Sequence, residues 1–229
     1  MLPRYYIGSL IVFTLLVIAS CKKGPSPQPQ FHYEYFDLSH GRYVDYDVIE
    51  IQHDATLALK HDTLRYQLRT LIGDTVIDNE GRVARKFIRF KRDNSSLPWV
   101  QTDIWTAILD QGRAELIEEN QRVIKLVFAP TLTKEWNPNA FNMFDGMEAY
   151  YKDIHDETTV GGLSFDSTLI VELDTFISLI DYRRKYEVYA KGIGLVKKYW
   201  KDLTISNFDT LNVQFGVEQF YTISGYGFQ

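Results

Sequence analysis

Period-two alternation of apolar and polar side chains constrains this chain more than any other feature. In "TLRYQLRTLI" (63–72), Leu64, Tyr66, Leu68 and Ile72 fall on one face of an extended backbone, and Arg65, Gln67 and Arg69 on the other. A helix would scatter the same residues around its circumference. "RVIKLVFA" (122–129), "STLIVEL" (167–173) and "YEVYA" (186–190) read as strands too. The 15 tyrosines and 14 phenylalanines suit a pleated, half-buried surface. Turn signals punctuate the strands at Asn79-Glu80-Gly81, Asp110-Gln111-Gly112, Glu119-Asn120, Asp145-Gly146 and Gly161-Gly162. Beyond residue 30, proline occurs only at Pro98, Pro130 and Pro138, as a ladder of backbone donors requires. Helical periodicity is weak and confined to about 104–117 and 140–150. No internal repeat and no second linker interrupts residues 31–229. The expected fold is mainly β: a single antiparallel domain, a curved sheet or partly closed barrel, with few short helices.

The N-terminus has a different grammar. Arg4 precedes an apolar run, Ile7 to Ile18, broken only by Gly8, Ser9 and Thr14. At about a dozen residues the run falls short of the ~20 that a spanning helix needs, so it reads as an export signal over residues 1–20. It ends in Ile18-Ala19-Ser20-Cys21, which resembles a bacterial lipobox. That resemblance implies cleavage between Ser20 and Cys21, and lipidation of the Cys21 thiol and amine. Two or more acyl chains hold a protein on a bilayer where one holds only marginally. Residues 21–30 then form a tether, with Pro25, Pro27 and Pro29 favouring polyproline II and a reach of roughly 28 Å. Lys22 and Lys23 suit anionic headgroups. No aspartate follows the cysteine, which points away from inner-membrane retention in enterobacterial-type sorting. No acidic run stands there either, so surface export is disfavoured. The expected location is the cell envelope, at the outer membrane facing the periplasm. With Cys21 consumed, no disulfide is available. The formal charge of −5 makes nucleic acid an unfavourable partner.

"EVYAKGIGLVKKYW" (187–200) reads as a hairpin, with Gly192 and Gly194 permitting the reversal. Together with "WNPNAFN" (136–142), "FDSTLIV" (165–171) and the lipobox, it resembles a group of uncharacterised Bacteroidota envelope lipoproteins. Their pattern is Trp-Asn-Gly-Asn-Ala, and this chain has Pro138 at the glycine position. The resemblance implies an envelope lipoprotein and no particular activity. The glycine hairpin also resembles one in lipoprotein-carrier-like half-barrels.

Candidate chemistry is sparse. His53-Asp54, His61-Asp62 and His155-Asp156 are dipeptides whose neighbours point to opposite faces of a strand, so none makes a dyad. In "DIHDE" (153–157), Asp153, His155 and Glu157 would share one strand face but span too far to chelate one ion. "RVARKFIRFKR" (82–92) offers Arg85 and Arg89 as contacts for anionic headgroups or acidic glycan. Its alternative is cross-strand pairing with Glu115, Glu118 and Glu119. Trp136 with Asn137, Asn139 and Asn142 has the makings of a sugar platform, and equally of a turn that caps its own backbone. Phosphate loops, nucleophile elbows and zinc signatures are absent from the sequence, so no catalytic residue, metal or cofactor is expected. The expectation is a non-enzymatic envelope lipoprotein that binds an apolar ligand or another envelope component. The alternatives are a packed interaction module without ligand and, behind it, a glycan hydrolase with two carboxylates facing one cleft.

Overall fold

The alternation is realised as one antiparallel sheet. The computed structural model describes residues 29–229, and Phe31–Gln229 cluster as one unit. After a 3₁₀ turn, Tyr33–Phe36, come β1 (Arg42–Asp54), β2 (His61–Ile77), β3 (Val83–Arg92), β4 (Val100–Asp110), β5 (Arg113–Glu118) and β6 (Gln121–Val127). The other half holds β7 (Glu135–Trp136), β8 (Ala149–Val160), β9 (Leu163–Ile177), β10 (Asp181–Ala190), β11 (Gly194–Ser206) and β12 (Asp209–Phe228). Their order is β6-β5-β4-β3-β2-β1-β12-β11-β10-β9-β8-β7. Two meanders are therefore joined where β12 returns beside β1, from Arg42↔Phe228 to Asp54↔Phe215. The mainly β, partly closed expectation holds.

Turn chemistry sets the register. Gln111-Gly112, Glu119-Asn120 and Gly161-Gly162 all take positive φ at both positions, the two-residue geometry whose twist matches antiparallel strands. Gly161 is irreplaceable for a second reason: a Cβ there would lie 2.1 Å from the Ile223 carbonyl oxygen, so the β8–β9 tip packs on β12 only as glycine. The glycine hairpin read at 187–200 is the β10–β11 turn.

Two sequence expectations fail. Residues 104–117 form β4, a tight turn and β5 instead of a helix. Ala107 and Ile108 are both fully buried, so both sheet faces are covered there and the alternation is blurred. Residues 140–148 form no helix either; side chains of Asn137, Asn139 and Asn142 capture the backbone of this loop.

The sheet curls until its two edges nearly meet. Across the seam, the Ile124 N–H donates to the Pro138 carbonyl at 2.9 Å, and the Trp136 indole donates to the Ile124 carbonyl at 3.2 Å. Tyr151 Oη both accepts from the Val127 N–H and donates to its carbonyl. The edge groups of β6 are thereby satisfied without a continuous ladder. The register gives the barrel two rims. The upper rim carries the β1–β2, β9–β10 and β11–β12 turns, and the lower carries the β4–β5, β8–β9 and β10–β11 turns. At the lower rim the 3₁₀ turn docks on the β10–β11 turn, where the Gly192 N–H donates to the Glu34 carbonyl. Tyr35 and Phe36 from that turn are buried in the core with Leu116, Tyr151 and Tyr189.

Candidate functional site

A cavity of about 100 Å³ lies inside the barrel above the 3₁₀ turn. Its lower wall is largely apolar, with Phe36, Leu38, Tyr46, Leu68, Ile72, Phe87, Trp105, Leu116, Ile193 and Leu195, and also carries Thr70 and the Asp37–Arg42 ion pair. Charge enters as a layer from five strands: Arg89 on β3, Glu118 on β5, Lys125 on β6, Glu187 on β10 and Lys198 on β11. Glu187 and Lys198 are cross-strand partners, and Lys198 stands opposite Tyr221 on β12.

These charges are unequally satisfied. The Lys125 ammonium donates to Glu187 Oε1 at 2.8 Å, and Tyr189 donates its hydroxyl to Glu187 Oε2. Burial would raise the Glu187 carboxyl, but Lys125 and then Lys198 hold it below the usual carboxylate range. The same pairing lifts Lys125 above an ordinary lysine against its own burial. Burial, and next the Glu187 charge, push the Tyr189 phenol up. Arg89 reaches Asp103 at 3.2 Å and lies 4.2 Å over the Trp105 ring. Lys198 differs: it donates to the Gln219 side-chain carbonyl at 2.9 Å and, among the described residues, has no carboxylate within ion-pair distance. Burial and then repulsion from Lys125 lower its pKa. Its ammonium also lies 5.0 Å from the Trp200 ring centroid and 5.1 Å from that of Tyr221. Lys198, Trp200, Val217, Gln219 and Phe215 continue, with Asp181 and the Lys185-paired Asp202, as a shallow trough leading from the charged layer toward the upper rim.

Comparison with known protein families and with curated proteins finds no match. Among solved structures, a Parabacteroides distasonis chain assigned as a lipoprotein is similar over 87% of this chain and 100% of its own, with 11% identity and a TM-score of 0.40. A Vibrio parahaemolyticus domain assigned to outer membrane lipoprotein sorting is similar over 87% and 92%, with 14% identity and a TM-score of 0.21.

Of the charged residues singled out from sequence, Arg89 and Glu118 line the cavity. Arg85 sits half-buried on β3 opposite Ala107. Trp136 packs on Tyr151, with ring centroids 4.9 Å apart, and closes the seam. Asn137 Oδ1 accepts from the Asn139 and Met147 N–H groups. The Asn139 amide donates to the Asp145 carbonyl, and that of Asn142 to the Arg122 carbonyl. The expected cross-strand pairing survives in altered form: Arg82, just before β3, reaches the fully buried Glu115 at 3.2 Å. Ser20 and Cys21 lie outside the described residues, as does most of the tether.

The Asp153-His155-Glu157 row is a correction. Register shifts after Tyr151, Ile154 and Asp156 break the alternation, and His155 takes φ 64°. Its Nδ1 lies 2.6 Å from Tyr35 Oη, which is also 2.6 Å from Ser167 Oγ. His53 meets His61 and Glu218 and not its neighbour Asp54. No cluster suited to a metal ion occurs among the described residues.

Reading the sequence missed Lys125, Glu187 and Lys198. A signal existed in "YEVYA", where Glu187 shares a strand face with Tyr189. A charged residue on a face that its neighbours make apolar needs a partner, and only the curl of the sheet brings β6 to β10.

Proposed function

We propose that this protein is an envelope lipoprotein, anchored through Cys21 at the outer membrane facing the periplasm, that binds a small anionic amphiphile inside its barrel. The observation that carries the reading is Lys198, a half-buried ammonium without a carboxylate at ion-pair distance, above a largely apolar wall. The tail of the ligand enters the lower cavity, its anionic group meets Lys198, and any larger headgroup follows the trough past Trp200. A water needs about 10–15 Å³ of such space, so the enclosed part takes on the order of ten heavy atoms and not a diacyl lipid. The sequence-based expectation of an apolar ligand or envelope component is narrowed accordingly.

Glu118 and Glu187 both line the cavity, the arrangement a hydrolase would use. Lys125 and Tyr189 occupy Glu187 and keep it ionised, which removes it as a proton donor. The reading is therefore a binding protein.

The test compares octanoate with octanol on residues 31–229, following the fluorescence of Trp105 and Trp200. A charge-assisted hydrogen bond is worth about 1.5–3 kcal/mol. Lys198→Met should weaken octanoate binding by roughly tenfold to a hundredfold and leave octanol unchanged. Equal loss of both, or no binding of either, would favour a packed interaction module. Native mass spectrometry of the same residues, purified from a bacterial envelope, would identify a retained ligand.

A further inference from the structure

Three neighbouring hairpin turns share the upper rim. The β1–β2 turn presents Leu57 and Leu59, the β9–β10 turn Leu179 and Ile180, and the β11–β12 turn Phe208 and Leu211. Each is between 51% and 91% exposed. The turns are stitched into one unit. The Ala55 N–H donates to the Gln214 carbonyl at 2.8 Å, and the Phe208 N–H to the Leu179 carbonyl at 3.1 Å. The Ile205 N–H donates to the Ile180 carbonyl at 2.8 Å.

Three acids of these turns serve their own loops, and Asp62, at the start of β2, is exposed. Asp54 Oδ1 accepts from the Thr56 backbone and hydroxyl, Asp181 from the Ser178 hydroxyl, and Asp209 from the Leu211 N–H. Lys60 and Arg184 remain exposed beside them. One tip also carries strain. Asn207 and Phe208 both take positive φ, at 55° and 60°, and the second position of such a turn favours glycine. An aromatic side chain is held out at a site where it weakens the hairpin.

We propose that this apolar crown inserts into the interfacial layer of a phospholipid bilayer, with Lys60 and Arg184 at headgroup level. Three convex tips suit a fluid surface. A protein partner or a second copy needs a continuous complementary face of about 800 Å² on each side. The trough reaches Phe215 at this same rim, so the crown would set the mouth of the barrel against lipid. The inference holds whatever occupies the cavity.

The test uses the full chain with Cys21→Ser, carrying one new cysteine labelled with an environment-sensitive fluorophore. Leu211→Cys reports the crown, and Asn79→Cys reports the exposed β2–β3 turn at the lower rim. Vesicles of phosphatidylethanolamine and phosphatidylglycerol at 3:1 contain spin-labelled acyl chains as quenchers. The expected result is strong quenching at position 211 and at least several-fold less at position 79. An unquenched Leu211→Cys probe, equal quenching at both positions, or a chain that stays in solution overturns the proposal. So does a probe shift that depends on protein concentration without vesicles, which would mean a second copy. Binding of octanoate is measured separately, so loss of the cavity reading leaves this result untouched.

Discussion

Lys125→Met tests whether the ion pair across the lumen holds the barrel closed. The Lys125 and Glu187 side chains are 16% and 3% exposed, and they come from β6 and β10, on opposite halves of the sheet. Methionine keeps the length and apolar stem of the lysine, so packing changes little. What changes is Glu187, left buried with only the Tyr189 hydroxyl and the more distant Lys198 charge. Removing one member of a buried pair typically costs 3–5 kcal/mol. The Tyr189 bond and the partial exposure of Lys125 place this case near the lower end, about 3 kcal/mol. For a domain of 150–250 residues that is a fall in Tm of roughly 6–12 °C. Urea unfolding of residues 31–229, followed by circular dichroism, measures it directly. The double variant Lys125→Met/Glu187→Met removes both charges and should recover most of the loss, because an apolar pair carries no desolvation penalty. A Lys125→Met midpoint indistinguishable from the parent, or a double variant no better than the single, would refute the reasoning.

Other expectations follow from the same geometry. Phe208→Gly relieves the left-handed strain and should raise stability by about 1 kcal/mol in the same urea assay while weakening vesicle insertion. The Glu187 carboxyl is held low in the folded state, so its contribution is present above the ordinary pKa of about 4.3 and is lost as pH falls through the lowered folded value. Glu187→Gln should therefore flatten the acid limb of a stability–pH profile. Trp136→Ala removes the indole that bridges the seam and should cost about 3 kcal/mol, with faster amide exchange at Ile124 and Val127. Cys21→Ser should abolish acyl labelling and release the protein from membranes; unchanged attachment would refute the lipobox reading.

The strands were legible because alternation is local: a pleat sends Tyr66, Leu68 and Ile72 to one side whatever the rest of the chain does. Positive-φ turns were legible for the same reason, at Gln111-Gly112, Glu119-Asn120 and Gly161-Gly162. The 104–117 segment was misread where tertiary contact covers both faces and leaves no alternation to see. The proposed lipobox is a contiguous stretch, Ile18 to Cys21, and nothing in the fold is needed to read it. The site is of another kind. Lys125 and Glu187 lie 62 residues apart and Arg89 stands on a third strand, and no local pattern ties them. The tertiary structure decided their chemistry by curling the sheet. Edge-to-edge closure puts five charged side chains in one low-dielectric layer, pairs Lys125 with Glu187 and Arg89 with Asp103, and leaves Glu118 and Lys198 without an ion-pair partner among the described residues.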